Sequence, residues 1–148
     1  MSVSNIEDRS STSHPFAQLG YDFMGACFEV HQVLGGGMLE EIYQECLEFE
    51  LLIRGIPFVS KQELMLVYKG RQLRKRYIPD FLVGGHVIAE LKAVSALTPD
   101  HEAQLINYMR IARQPVGYLV NFSPMDKVEW KRFVLSQHLS REVTGSIR

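Results

Sequence analysis

The feature that most constrains this chain is residues 77–92, where two apolar runs flank the pair Gly84-Gly85. That pattern reads as a β-hairpin with a glycine turn. Three charges interrupt the apolar runs: Asp80 on the first strand, Glu90 and Lys92 on the second. Charged side chains are rare on core strands unless they are paired or put to use. Side chains alternate along a strand, so Glu90 and Lys92 share a face. Directly opposed residues of an antiparallel pair share a face as well. A two-residue turn opposes Asp80 to Ala89. A three-residue loop, or one bulge, opposes it to Glu90. Only the second register brings two carboxylates and an ammonium together, the pattern of a divalent-metal site with a cation beside it.

A chain of 148 residues, 46% of them apolar, is long enough for one domain with a sizeable core. The formal net charge of −1 gives no global pull toward a polyanion, so a nucleic-acid site has to be a local basic patch. Cys27 and Cys46 stand alone with no CxxC spacing. They read as reduced core residues of a cytoplasmic protein, not as a zinc site. No apolar run reaches membrane-spanning length, and residues 1–14 are polar, without a signal-peptide core.

Residues 1–14 read as a disordered tail, residues 15–135 as the domain, and residues 136–148 as a C-terminal tail. Ser13-His14-Pro15 looks like a helix start. Phe16, Leu19, Phe23, Cys27, Val30 and Leu34 then form an apolar stripe that ends at Gly35-Gly36-Gly37. A second helix is expected over 38–54, with Leu39, Ile42, Cys46, Phe49 and Ile53 as its stripe and Gly55 as its stop. Strands are expected at 58–59, 63–68, 72–82, 86–93, 116–121 and 127–135, with a turn at Lys69-Gly70. Thr98-Pro99-Asp100 caps a third helix that turns Ala103, Ile106 and Met109 inward. The strand–helix–strand unit over 86–121 implies a right-handed parallel crossover. Joined to the preceding antiparallel meander, it gives an α/β fold: a mixed β-sheet flanked by helices.

Pro79-Asp80, nine residues, then Glu90-Leu91-Lys92 resembles the PD-(D/E)XK motif of that nuclease superfamily. Gly37-Met38-Leu39-Glu40-Glu41-Ile42-Tyr43 resembles the GxxExxY signature, which names one branch of it. Gln104-Leu105-Ile106-Asn107-Tyr108 is similar to the QxxxY element that some of its nucleases carry on the helix after the lysine strand. The resemblance covers about residues 16–134. It departs at Gly36, where members more often have proline. It implies a restriction-endonuclease-like core and a site that uses Mg2+ or Mn2+.

In that site Asp80 is the implied central metal ligand, Glu90 the second, the Leu91 carbonyl a third, and Glu40 a further carboxylate from the helix side. Lys92 orients the attacking water or stabilises charge at phosphorus. Gln104 hydrogen-bonds a water, a carboxylate or the substrate, and Tyr108 meets a phosphate or a base. Glu41 points away to solvent, and Tyr43 reads first as a packing residue with a tethered hydroxyl. His31 and His101 are singletons, and His31 lies one turn before the glycine loop.

Lys69, Arg71, Arg74, Lys75 and Arg76 form a basic run. It reads equally well as a solvated edge strand and as a ridge that tracks phosphates, with Arg74, Lys75 and Arg76 as the nucleic-acid contacts. Arg110, Arg113, Lys131 and Arg132 are candidate extensions of that patch, and Trp130 reads as core or dimer contact. The expected function is a metal-dependent nuclease that hydrolyses phosphodiester bonds in nucleic acid, DNA before RNA, with a homodimer among the states superfamily nucleases adopt. The alternatives on the same fold are a non-catalytic nucleic-acid-binding module and a protein-interaction adaptor. Neither needs the carboxylate–lysine set.

Overall fold

The first two helices form a hairpin: α1 (Ala17–Leu34) and α2 (Glu40–Ile53), joined across the three glycines. The computed structural model describes residues 16–136 together with the backbone of 3–5. Ser13 and Pro15, read above as a helix start, lie outside the described residues, as do 137–148. Within the expected N-terminal tail, Val3–Asn5 is a strand, β1.

The remaining elements follow in chain order. They are β2 (Phe58–Ser60), β3 (Val67–Tyr68), β4 (Arg71–Gln72), β5 (Phe81–Val83), β6 (Val87–Lys92), α3 (Pro99–Ala112), β7 (Val116–Asn121) and β8 (Glu129–Leu135). The main sheet has the order β1-β8-β7-β6-β5-β2. Only β6 and β7 run parallel, through the α3 crossover; the other neighbours are antiparallel. This is the mixed α/β sheet flanked by helices expected from the sequence. No described helix is long and apolar enough to cross a membrane.

The sheet separates two cores. Phe23, Cys27, Val30, Tyr43, Leu47 and Leu51 of the helical hairpin pack on Phe81, Ala89, Leu91, Tyr118 and Val120. Leu105, Met109 and Ala112 of α3 pack on the other face against Leu82, Ile88 and Leu119. The central strand β7 is buried along its whole length, as a two-faced parallel strand should be. Thr98 caps α3 as read. Its hydroxyl accepts from the His101 amide at 3.4 Å while His101 Nδ1 accepts from the Thr98 amide at 3.0 Å. His101 is therefore a capping residue.

The α1 stripe is the one read from the sequence, but two others are corrected. On α2 the buried residues are Tyr43, Leu47 and Leu51, while Leu39, Phe49 and Ile53 are exposed. This helix is apolar on two adjacent stripes, and the sheet covers only one. On α3 Ala103 is exposed and Ile106 half-buried, while Leu105 and Ala112 join Met109 inside. Phe49→Gln is therefore expected to change stability by less than about 0.5 kcal/mol in a denaturant melt, the behaviour of an exposed site.

The strands expected over 63–68 and 72–82 are broken. β3 and β4 form a hairpin of their own, and the isolated bridge Leu64–Tyr77 links the flanking chain. Its turn is at Lys69-Gly70 as read, with both residues at positive φ. The long basic strand fails to form because Pro79 has no N–H to donate and residues 71–76 lie in solvent. Gly36 has its own reason to be glycine. A Cβ there would stand 2.4 Å from the backbone oxygens of Ser123 and Pro124, so the loop before α2 packs against the 122–126 loop. His31 closes the same contact, its Nε2 lying 2.7 Å from the Pro124 carbonyl oxygen.

Candidate active site

The register of the β5–β6 hairpin decides whether the charged residues meet. Phe81 faces Ala89, Leu82 faces Ile88 and Val83 faces Val87. The loop is therefore Gly84-Gly85-His86, three residues long, and the next pair outward is Asp80 with Glu90. Gly84 and Gly85 have φ of 58° and 76°, in the left-handed region where glycine is favoured. The His86 amide donates to the Val83 carbonyl at 3.1 Å and closes the loop.

Asp80 and Glu90 are both nearly buried, at 5% and 4% exposure. The Asp80 amide donates to Glu90 Oε1 at 2.8 Å, and the Leu91 amide donates to Asp80 Oδ2 at 2.8 Å. Each carboxylate is thus held by backbone across the hairpin. In an extended strand a residue's N–H and C=O leave on the same edge, so the Leu91 carbonyl also faces the Asp80 side. Burial, then the charge of Asp80, pushes the Glu90 carboxyl up to about 8.

Lys92 follows on the same face of β6. Its ammonium donates to Gln104 Oε1 at 2.9 Å, and Gln104 Nε2 donates to the Tyr108 hydroxyl at 3.4 Å. The four-residue spacing of Gln104 and Tyr108 on α3 sets up this relay. Partial burial and the Glu90 charge push the Tyr108 hydroxyl up, which places its ring near the carboxylates. The Tyr77 ring meets it edge-on at 6.5 Å.

Glu40 comes from the other side of the sheet, at the first turn of α2. Tyr43 sets its approach: the tyrosine hydroxyl donates to the Gly35 carbonyl at 2.7 Å and accepts from the Met38 amide at 3.1 Å. That hydroxyl ties the glycine loop to the helix and is the tethering role read from the sequence. Glu40 stands at the rim. Partial desolvation, then the charge of Asp80, raises its carboxyl, while Lys92, Lys61 and His101 pull it down.

Lys61 was missed by the sequence reading. Its ammonium pairs with Asp80 Oδ1, and its amide donates to the Asp80 carbonyl at 3.1 Å. The only hint was that Lys61 follows the 58–59 edge segment. Pairing of β2 with β5, Ser60 opposite Phe81, is what carries it to Asp80. Gln44 also reaches the Asp80 carbonyl, at 3.5 Å.

The structure brings together Asp80, Glu90 and the Leu91 backbone, with Lys92, Gln104 and Tyr108 to one side and Glu40 at the rim. Among the described residues no three His, Cys, Asp or Glu side chains form a ready cation cage. Asp80, Glu90 and the Leu91 carbonyl form a hard-oxygen donor set, against which the Lys61 ammonium already rests. Those donors fit a magnesium or manganese ion.

Other expected contacts lie elsewhere. Arg74 and Lys75 are exposed, and Arg76 pairs with Glu63 at the surface. Lys131 pairs with Glu102 at 2.6 Å, and Arg132 is buried at 1% exposure, so neither extends a surface patch. His31 is engaged at Pro124, away from the carboxylates. Trp130 is partly exposed and stacks on Tyr118.

A sequence model of the PD-(D/E)XK nuclease superfamily matches residues 17–133, which takes in every element from α1 to β8 that forms this site. The chain belongs to that superfamily. No curated protein matches it significantly. Among solved structures it is similar to an alkaline exonuclease from Laribacter hongkongensis, at 15% identity and a TM-score of 0.48. That match covers 69% of this chain and 59% of the exonuclease, so the chain spans less than two thirds of the enzyme's length. In this PD-(D/E)XK chain Asp80, Glu90 and Lys92 have the spacing of the motif.

Proposed function

We propose that this protein is a metal-dependent nuclease of the GxxExxY branch that hydrolyses phosphodiester bonds in nucleic acid, with DNA preferred over RNA. The observation that carries the reading is the three-residue loop, which opposes Asp80 to Glu90 and leaves Lys92 on the same face. An adaptor or a passive binding module has no need to bury two carboxyl groups side by side, because that juxtaposition costs stability.

Asp80, Glu90 and the Leu91 carbonyl are the groups that would hold a magnesium or manganese ion, with Glu40 adding negative charge from α2. Such an ion, when bound, supplies Lewis acidity and a more acidic water. The residues of the chain do the rest. Lys92 holds positive charge beside the position of the scissile phosphate, where charge builds up as the attacking oxygen arrives. Gln104 fixes the Lys92 ammonium by accepting a hydrogen bond from it, so the lysine does not have to be ordered at the moment of reaction. Tyr108, at the end of that relay, offers a hydroxyl and a ring to the nucleotide. Arg74, Lys75 and Arg76 track the backbone farther out, and their contribution falls with salt.

The test is cleavage of single- and double-stranded DNA and RNA with MgCl2 or MnCl2, with Asp80→Ala and Lys92→Ala run beside the wild type. Metal-dependent cutting that both substitutions abolish supports the proposal, and faster cutting of DNA supports the preference. Salt-sensitive binding without cleavage under any condition replaces it with the binding-module reading. Cleavage that survives both substitutions assigns the activity to a contaminant.

A further inference from the structure

Lys61 is not a member of the motif, yet its ammonium is the cation that touches Asp80. Asp80 Oδ1 accepts from Lys61, while Lys92 is turned to Gln104. The backbone of Lys61 is fixed as well, through its amide to the Asp80 carbonyl. It sits at φ 54°, a left-handed conformation uncommon for a lysine. Strain of this kind persists only where the surroundings over-determine it, and it gathers at working sites. The pair is also lopsided: the Asp80 side chain is 6% exposed and that of Lys61 52%. A flexible, half-solvated stem therefore carries its charge from solvent onto a buried acid.

We infer that Lys61 is a tethered cation that shares Asp80 with the divalent ion and passes to the substrate phosphate when the metal is loaded. The inference rests on the metal-dependent reading of this site. An ammonium and a divalent ion on the same carboxylate oxygen repel each other strongly at such short range. Metal loading is thus linked to release of Lys61, and by reciprocity Lys61 weakens metal binding. Once released, the ammonium remains anchored through its own backbone beside Asp80. The phosphodiester that must approach the same carboxylates is then an anion within its reach, alongside Glu40 at the rim. Lys61 then lies on the β2 side of the phosphate and Lys92 on the α3 side.

The test is calorimetric titration of the folded protein with MnCl2, for wild type, Lys61→Met, Lys61→Gly and Lys61→Arg. Lys61→Gly suits the positive φ and guards against misfolding of the methionine variant. Lys61→Met and Lys61→Gly are expected to bind manganese about fivefold or more tightly than wild type, the lower range of measured site-to-site couplings. Lys61→Arg is expected to stay near wild type. The KM for a DNA oligonucleotide should rise in the two uncharged variants. Manganese affinities in Lys61→Met and Lys61→Gly no tighter than in Lys61→Arg overturn the inference, even while the wild type binds metal and cleaves. A wild type that neither binds manganese nor cleaves overturns the metal-dependent reading and this inference with it.

Discussion

Asp80→Asn is expected to lower metal-dependent cleavage by about a thousandfold, a loss of about 4 kcal/mol of transition-state stabilisation. The substitution keeps the shape of the side chain, and an amide oxygen still accepts from the Leu91 N–H that Asp80 Oδ2 now satisfies. What it removes is the charge. With it goes the partner of Lys61, and the amide nitrogen that replaces Oδ1 is a second donor facing an ammonium. The β5–β6 hairpin should survive, because its register is set by the 84–86 loop and by Phe81, Leu82 and Val83, not by the carboxylate. A circular dichroism melt alongside the cleavage assay separates the two effects. A melting temperature near wild type with cleavage lost is the expected pair of results. Cleavage within about tenfold of wild type would remove Asp80 from the centre of the chemistry, since a tenfold change is only about 1.4 kcal/mol.

Asp80, Glu90 and Lys92 were legible because a strand shows its faces at every second residue, and charges inside apolar runs stand out against that alternation. The α3 cap was legible because Thr98, Pro99 and Asp100 stand together at the helix start, whereas the part His101 plays in it was not. The register was not. Two glycines are compatible with either loop length, and the choice came from His86 joining them as the third loop residue while Gly84 and Gly85 took positive φ. The buried face of α2 was hidden for a different reason. Ile42, Phe49 and Ile53 are as apolar as Leu47 and Leu51, so periodicity alone could not say which stripe the sheet would cover. Lys61 was out of reach on physical grounds. It lies 19 residues before Asp80, and the contact depends on β2 pairing with β5, a non-local event that linear spacing does not encode. Glu40 shows the opposite limit. Its motif was visible, but that the helix would hold it at the rim followed only from how Tyr43 ties down Gly35 and Met38.

Without metal, the protein should lose stability as pH rises from about 5 to 8, and Glu90→Gln should remove most of that slope. An unfolded glutamate titrates at about 4.3. In the folded protein, burial and the neighbouring Asp80 charge push the Glu90 carboxyl up to about 8. Between those values the folded state holds a proton that the unfolded state has released. The folded state binds more protons, so its stability falls as pH rises through this window and is complete only below the unfolded value. Glu40 is shifted in the same direction and adds a smaller slope, since it stands at the solvent rim. Glutamine mimics the protonated acid and still accepts from the Asp80 amide. At about pH 4, below the unfolded value, the variant and the wild type should therefore melt together. At pH 8 the variant should be more stable by at least about 1.4 kcal/mol, the worth of a single pKa unit. That corresponds to a rise of about 4 °C for a domain of this size. Saturating MnCl2 should flatten the wild-type slope too, because a divalent cation favours the ionised pair, and should leave the variant with less than the wild-type gain. Equal pH slopes for the two metal-free proteins would mean that Asp80 and Glu90 are not electrostatically opposed, and the donor pair at the centre of this site would lose its physical basis.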